Sequence, residues 1–390
     1  MTTVGILAHD LSDPAVARRV KMLKAGGGTV RVAGFIRGTV SKARLPLGCV
    51  LGLGRTRDGR LVQRGLSVLQ VLSFRMGALK RYMQGCDVLI ARNLEMLTIA
   101  ALLARRLVPK PRLVYECLDI HRLLTEQSVA GRAIRRIEAL AGRDVELVIT
   151  SSPAFVENHL DKGVFAGRSL VVENKVTAFE DTAMVHAVHT FPGPPWRIGW
   201  FGNLRCRRSL DVLKELARIG GGEIEIILRG RPSPAIFPDL DRELAGLSHI
   251  RFEGPYDATR DLPRIYGEVH YSWCIDYYEE EGNSRWLLPN RLYESAFHNT
   301  VPIALQDNET GRFLSRIGAG VLLKDTSPDL LLEVFKTFQP EHYTEQIAQL
   351  EAVPRSTWAT DVEECRTLVS ALTVPSPATL RSISETGYGT

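Results

Sequence analysis

Short apolar runs and amphipathic stretches take turns along the whole chain. Thr3–Ala8 is an apolar run that predicts a strand, and Asp13-Pro14 opens a helix continuing to Lys24. An aspartate cap followed by proline at the first helical position is a start signal, and Gly26-Gly27-Gly28 is the matching stop. Further short buried strands are predicted at 30–36, 87–91, 113–116 and 147–151, with an apolar helix at 97–107. Strands alternating with helices of this length build a parallel, doubly wound sheet. The pattern pauses at Phe191-Pro-Gly-Pro-Pro195, the densest proline-glycine cluster of the sequence. It restarts with strands at 197–201, 224–229, Ile250–Phe252, 269–275 and Val301–Leu305. The expected fold class is α/β: two Rossmann-like, doubly wound domains at 1–185 and 197–355, joined by a linker at 186–196 and facing a cleft.

Composition narrows the class. At 390 residues the chain suits two domains better than one core, and 45% apolar with 24% charged residues is a soluble globular balance. No run of roughly eighteen uncharged apolar residues is present, so no membrane span is expected. MTTVGILAHD enters a strand at once, so no secretion signal is expected either. Cys49, Cys86, Cys117, Cys206, Cys274 and Cys365 lie far apart. This fits reduced thiols in a cytoplasm, and neither a zinc site nor a disulfide framework. The net charge of +5 hides a division: residues 1–180 hold 28 Lys+Arg against 15 Asp+Glu (+13), and the remainder 21 against 29 (−8). A basic first half suggests an anionic partner such as a membrane surface, a diphosphate-linked lipid or nucleic acid, or else charge complementarity with the second half.

Two segments carry most of the chemistry. LLPNRLYESAFHNTVPIA (287–304) predicts a loop with Pro289-Asn290, a helix opening with Arg291 and Glu294, a break near His298-Asn299, and a strand. Pro302 donates no ladder bond, which suggests an edge strand or a strand start. A carboxylate one turn into a helix that begins at a strand's end is placed to meet ligands in the crevice of an open α/β sheet. The helix start itself offers N–H groups and partial positive charge to an anion such as a diphosphate. In WRIGWFGNLRCRRSLDVLKEL a strand runs into Gly202-Asn203, then a loop with Arg205, Arg207 and Arg208. Arginine forks and helix N–H groups can stabilise charge on an anionic group without a metal.

These segments, together with the opening VGILAHDLSDPAVARRVKMLKAGGGTVRVAGF, resemble GT-B glycosyltransferases. The likeness is to family-4-like enzymes of bacterial exopolysaccharide assembly, of the succinoglycan or xanthan type. The resemblance implies that the second domain binds a UDP-hexose through Gly202, Asn203, Arg205, Arg208, Gly230, Tyr256, Asn290, Arg291 and Glu294, with the glutamate on the donor's ribose. On the acceptor side it implies Asp10, Asp13, Arg92 and Asn93, with Arg18 and Arg19 near the cleft unless they are solvated arginines of an ordinary helix. It also implies that the last helix, within 356–390, returns to the first domain; the Ser/Thr-rich composition beyond about Pro375 predicts a flexible tail.

LVYECLDIHRLL places Glu116, Asp119 and His121 beyond a strand. Inverting transfer needs a base for the acceptor hydroxyl, and Asp119 is the first candidate and His121 the second; a lone carboxylate in a loop can equally be a helix cap. The Asp-x-His order is that of the resembled family. One position departs from it: eight residues before Glu294, where many members carry a second glutamate, stands Trp286. Retaining and inverting courses both stay open.

Other chemistries find little support. No Gly-x-Gly-x-x-Gly follows the first strand, and Gly-x-Ser-x-Gly and phosphate-loop motifs are absent. Asp239-Leu-Asp241 imitates a metal-binding pair but lies in a helix-like surface stretch. Neither metal nor cofactor is expected, the UDP-sugar being a substrate. LVQRGLSVLQVLSFRMGALKRYM (61–83), with Arg64, Arg75, Lys80 and Arg81, either lies on an anionic membrane and presents a lipid-linked acceptor or is a core helix with a charged flank. The expected function is transfer of a hexosyl (glucosyl or glucuronosyl) unit from a UDP-sugar to a lipid-linked oligosaccharide. The expected location is cytoplasmic, peripheral on the inner face of the cell membrane, with no nucleic acid partner. A UDP-sugar epimerase of the same fold and a non-catalytic scaffold of a polysaccharide complex are the competing readings.

Overall fold

In a computed structural model, residues 1–36, 50–56, 61–120, 122–161, 165, 167–179, 192–280 and 282–373 are described. They form two compact units. One runs from Met1 to Glu173 and resumes at Thr360 to take in helix Val362–Thr373; the other is Asn174–Ala359. Residues 186–191 of the expected linker and the tail beyond Pro375 lie outside the described residues. The second unit begins ahead of that linker because residues 175–176 are bonded into it. Lys175 Nζ donates to the Ser356 carbonyl at 2.7 Å and the Val176 N–H to the Trp358 carbonyl at 2.9 Å.

The first unit is built on strands β1 (Thr3–Ala8), β2 (Thr29–Ile36), β3 (Val50–Arg55), β4 (Val88–Arg92), β5 (Arg112–Cys117), β6 (Val145–Thr150) and β7 (Arg168–Val171). They lie in the order β3-β2-β1-β4-β5-β6-β7, all parallel. Val4, Ile6, Ile90, Val114, Val148 and Ile149 are buried, as helices on both faces of a parallel sheet require. Parallel crossovers are right-handed. That rule puts helix Pro14–Ala25, which leads from β1 to β2, on one face. It puts the helices following β3, β4 and β5 on the other. The packing agrees: Pro14–Ala25 lies against Val362–Thr373, and Leu94–Ala104 touches both Leu61–Gln70 and Val129–Ala141. Asp13 caps its helix as the sequence predicts, accepting the Ala15 N–H at 2.9 Å.

In the second unit a short strand β8 (Val176–Thr177) precedes β9 (Trp196–Leu204), β10 (Ile224–Pro232), β11 (Ile250–Phe252), β12 (Tyr271–Trp273), β13 (Val301–Leu305) and β14 (Val321–Leu323). The sheet order is β11-β10-β9-β12-β13-β14, again parallel. Trp196, Trp200, Tyr271 and Trp273 fill one side of the core; Phe201, Ile227, Ile265 and Tyr266 form a second buried cluster. β13 is an interior strand, not an edge. Pro302 fits because it is the second residue, paired with Ser272 of β12, while pairing with β14 starts only at Ile303. β3, β7 and β14 are strands that the hydrophobic pattern misses; each is short or glycine-interrupted. The described cysteines are free and buried. Burial pushes the Cys117 and Cys365 thiols up to about 12 and the Cys274 thiol up to about 11.

Candidate functional site

The carboxyl ends of β9, β10 and β11 close on one another through backbone. Gly230 pairs with Gly202 across the sheet, and its N–H donates to the Gly254 carbonyl at 2.9 Å. Gly202 and Gly230 hold φ angles of +110° and +132°, which side chains avoid, and a Cβ on Gly230 would stand 1.9 Å from the Gly202 carbonyl oxygen. Glycine is what lets these strand ends meet. Asn203 is exposed just beyond them.

The arginines that follow have different tasks. Arg207 turns to Glu243 and the Ile236 carbonyl and lies 4.5 Å over the Phe237 ring, a structural anchor. Arg205 and Arg208 face the run Asp276-Tyr-Tyr-Glu-Glu280 that leaves β12. Arg205 Nη2 is 3.5 Å from Asp276 Oδ2, with its guanidinium 4.8 Å from the Tyr278 ring centre. Arg208 Nη1 donates to both Glu280 oxygens at 2.9 and 3.0 Å and stands 3.9 Å over Tyr277. Cys206 Sγ, between them, accepts the N–H groups of Ser209 (3.4 Å) and Tyr277 (3.3 Å), tying the two loops together. The Arg208–Glu280 pair, about half exposed on both sides, is worth roughly 0–1 kcal/mol, so an anion can take the Glu280 carboxylate's place at little cost; Asp276 is largely buried and also accepts the Tyr278 N–H at 2.8 Å.

Helix Asn290–Phe297 supplies the third wall. Its N-cap is Pro289, which makes no side-chain cap bond, and Asn290 is exposed at the first position. Arg291 is buried. Its Nη2 donates to the Ile275 carbonyl at 3.3 Å, and its Nε has no hydrogen-bond partner among the described residues. Glu294, one turn along, accepts the Tyr266 hydroxyl at 3.2 Å. Tyr266 is stacked on His298 and meets Phe201 edge-on, as does Tyr256. Burial, and then the nearby Glu294 charge, push the Tyr256 and Tyr266 hydroxyls above their ordinary value, so both stay protonated. The predicted donor residues are therefore gathered on one sheet edge and the helix beside it. Sequence reasoning missed Tyr266, Asp276 and Glu280; the run of tyrosines and acids after β12 was the available signal.

The first unit treats its predicted residues unevenly. Glu116 is not beyond β5 but inside it, fully buried, and it binds two arginines: Arg19 Nε at 2.7 Å and Arg92 Nε at 3.1 Å. Burial by itself raises the Glu116 carboxyl, but Arg92 and Arg19 outweigh it and hold the group below the usual carboxylate range. Arg92, buried, also donates to the Ala15 carbonyl at 2.8 Å; Arg19 is likewise buried rather than solvated. These three groups join β4, β5 and the first helix from inside. Asp10 accepts the N–H and hydroxyl of Ser12 at 2.9 and 2.7 Å. Asn93 holds φ +70° at the start of helix Leu94–Ala104. Asp119 is exposed in the bend after β5, and His121 lies outside the described residues. In Asp239-Leu-Asp241 the first carboxylate caps a short helix, accepting the Arg242 N–H at 3.0 Å. Among the described residues no cluster of three or more His, Cys, Asp or Glu side chains is arranged to hold a metal ion, and no helix is long and apolar enough to cross a membrane.

Two doubly wound parallel sheets, the second with this glycine-arginine edge, define the GT-B fold of glycosyltransferases. HepE of Anabaena, solved with UDP, superposes with a TM-score of 0.68 at 15% identity, covering 95% of this chain and 99% of that one. Sucrose-phosphate synthase of Thermosynechococcus elongatus superposes with a TM-score of 0.67 at 13% identity, covering 95% and 98%. No family model matches the sequence. The succinoglycan biosynthesis protein ExoL of Rhizobium meliloti (strain 1021) is 40% identical, across 99% of this chain and 98% of that protein. The chain belongs to the family of this succinoglycan biosynthesis protein.

Proposed function

We propose that the protein transfers a hexosyl unit, glucosyl or glucuronosyl, from a UDP-sugar to a lipid-linked saccharide during succinoglycan assembly. The observation that carries the reading is the buried, half-satisfied Arg291 beside a helix start with no side-chain cap, in the same unit as Arg205 and Arg208, the latter held by a solvated carboxylate that an anion can replace. Such a set suits a diphosphate, and Glu294 suits the hydroxyls of a ribose. HepE, with the same fold, was solved with UDP and with UDP-glucose.

In the reaction an acceptor hydroxyl oxygen bonds to the anomeric carbon while the bond from that carbon to the diphosphate breaks, the electron pair leaving on the diphosphate. Arg205, Arg208 and the helix start at Asn290 stabilise that charge without a metal. Asp119, exposed at the carboxyl edge of the first sheet, takes the hydroxyl proton. The first unit, with its basic surplus, meets the inner face of the membrane that carries the acceptor.

The test combines melting with turnover. UDP-glucose or UDP-glucuronate should raise the melting temperature of the wild type, by an amount equivalent to about 2.7 kcal/mol at a hundredfold excess over Kd, and Glu294→Ala should abolish the rise. Asp119→Ala should keep the rise and lose lipid-dependent UDP release. Release that persists in both variants, or the failure of every UDP-sugar to shift the melting temperature, refutes the assignment. UDP release that needs no lipid would favour the epimerase.

A further inference from the structure

Helix Leu94–Ala104 of the first unit is apolar nearly all round and is covered on either side by two helices of the same layer, one running from Leu61–Gln70 into Met76–Met83, the other Val129–Ala141. Both flanking helices bury one face, as amphipathic helices do. Both also expose apolar side chains on the opposite face. On the first these are Leu66, Leu69 and Phe74, the last 84% exposed; on the second they are Val129, Ile137 and Leu140, with Val129 73% exposed. Ile137 and Leu140 are i, i+3 neighbours, and Val129, three turns before Leu140, lies on the same side of the helix. On the first helix a π turn at Val71–Arg75 delays the winding by about one residue and brings Phe74 onto the ridge of Leu66 and Leu69.

The charge on these helices has one sign. Segment 61–83 contains no aspartate or glutamate, and exposes Arg75, Lys80 and Arg81. Segment 129–143 exposes Arg132, Arg136 and Arg143, and its one carboxylate, Glu138, is fully buried against His159 at 3.2 Å. Two apolar ridges with cationic flanks and no exposed acid of their own do not suit a protein surface of mixed charge. They suit the boundary between headgroups and acyl chains of an anionic bilayer, where apolar side chains insert and each arginine or lysine adds attraction.

We infer that these two helices together form a docking surface for an anionic membrane, with Phe74 and the Ile137–Leu140 pair as the inserting groups. The inference gives a place on the molecule to the membrane contact proposed above. It names a second helix for which sequence reading gave no membrane role. Both helices follow strands of the first sheet and so begin at its carboxyl edge, the edge on which Asp119 lies.

The full-length protein should sediment with vesicles of phosphatidylcholine and phosphatidylglycerol, much less with phosphatidylcholine alone, and less as salt is raised. Leu69→Ser/Phe74→Ser and, separately, Ile137→Ser/Leu140→Ser should each weaken binding tenfold or more, and Lys80→Gln or Arg136→Gln about fivefold. All these positions are exposed, so the variants should keep the wild-type melting temperature and its response to UDP-sugar. That response separates failure of the surface from failure of the donor assignment. Equal binding to neutral and anionic vesicles overturns the inference. So does wild-type binding by the Ile137/Leu140 variant, which would leave a single-helix contact. Concentration-dependent self-association that the same substitutions abolish overturns it too, by making the face an interface between copies.

Discussion

Removing the charge of Glu116 while keeping its shape, as Glu116→Gln does, would leave two buried guanidiniums facing a neutral amide. Arg19 is 5% exposed and Arg92 1%; with their shared carboxylate at 2.7 and 3.1 Å they form a three-group network inside the first unit. Taking one partner from a buried pair typically costs about 3–5 kcal/mol, because the remaining charge stays desolvated. For a unit of this size each kcal/mol moves Tm by about 2–4 °C, so a fall of roughly 6–20 °C is expected in thermal scans, with a matching shift in the urea midpoint. Replacing the whole network (Arg19→Met, Glu116→Leu, Arg92→Met) should recover much of that loss, since a desolvated ion pair gains little over apolar groups of similar volume. The pH dependence has a fixed sign. The folded carboxyl is held below its unfolded value near about 4.3. Its stabilisation is therefore complete above that pH and is lost as pH falls through the lower folded value. Glu116→Gln should flatten the wild-type decline in stability below about pH 4. A loss under about 1 kcal/mol for Glu116→Gln would refute the network. So would an Arg92→Met variant of unchanged stability but raised acceptor KM, because Arg92 would then face the ligand.

Two further expectations concern the glycine-arginine edge of the second sheet. Gly230→Ala forces a side chain into a left-handed conformation and onto the Gly202 carbonyl at 1.9 Å, so it should cost at least ~2 kcal/mol and remove stabilisation by UDP; a urea midpoint and UDP response like the wild type's would contradict the close approach. Arg208→Met should change the stability of the free protein by no more than about 1 kcal/mol yet weaken UDP binding tenfold or more, whereas Glu280→Gln, which frees Arg208, should tighten it a few-fold by calorimetry; weaker binding in the Glu280 variant would mean that the carboxylate serves the ligand and does not compete with it.

The clustering of the glycine-arginine edge of the second sheet was legible in the sequence because its parts are local. Gly202 lies near the end of one strand with Arg205 and Arg208 just after it, and Pro289, Arg291 and Glu294 open one helix, so strand ends and helix starts suffice to place them. The buried network of the first unit was not, for two reasons. Arg19 and Glu116 are 97 residues apart, a pairing that no local pattern contains. In a parallel sheet covered on both faces, moreover, apolar alternation does not say which way a polar residue near a strand's end points, so Arg92 and Glu116 read as crevice residues. The three arginines after β9 make the same point within one loop. Composition treats Arg205, Arg207 and Arg208 alike, and only their partners separate them. Arg207 is fixed by a carboxylate, a carbonyl and a ring at once, while Arg208 is held by a solvated carboxylate that a phosphate can replace. In this protein a charged residue near a strand's end is a candidate for ligand binding when its protein partner is exchangeable, as with Arg208, or incomplete, as with Arg291. It is part of the scaffold when both it and its partner are buried inside the sheet, as with Arg19 and Arg92 on Glu116.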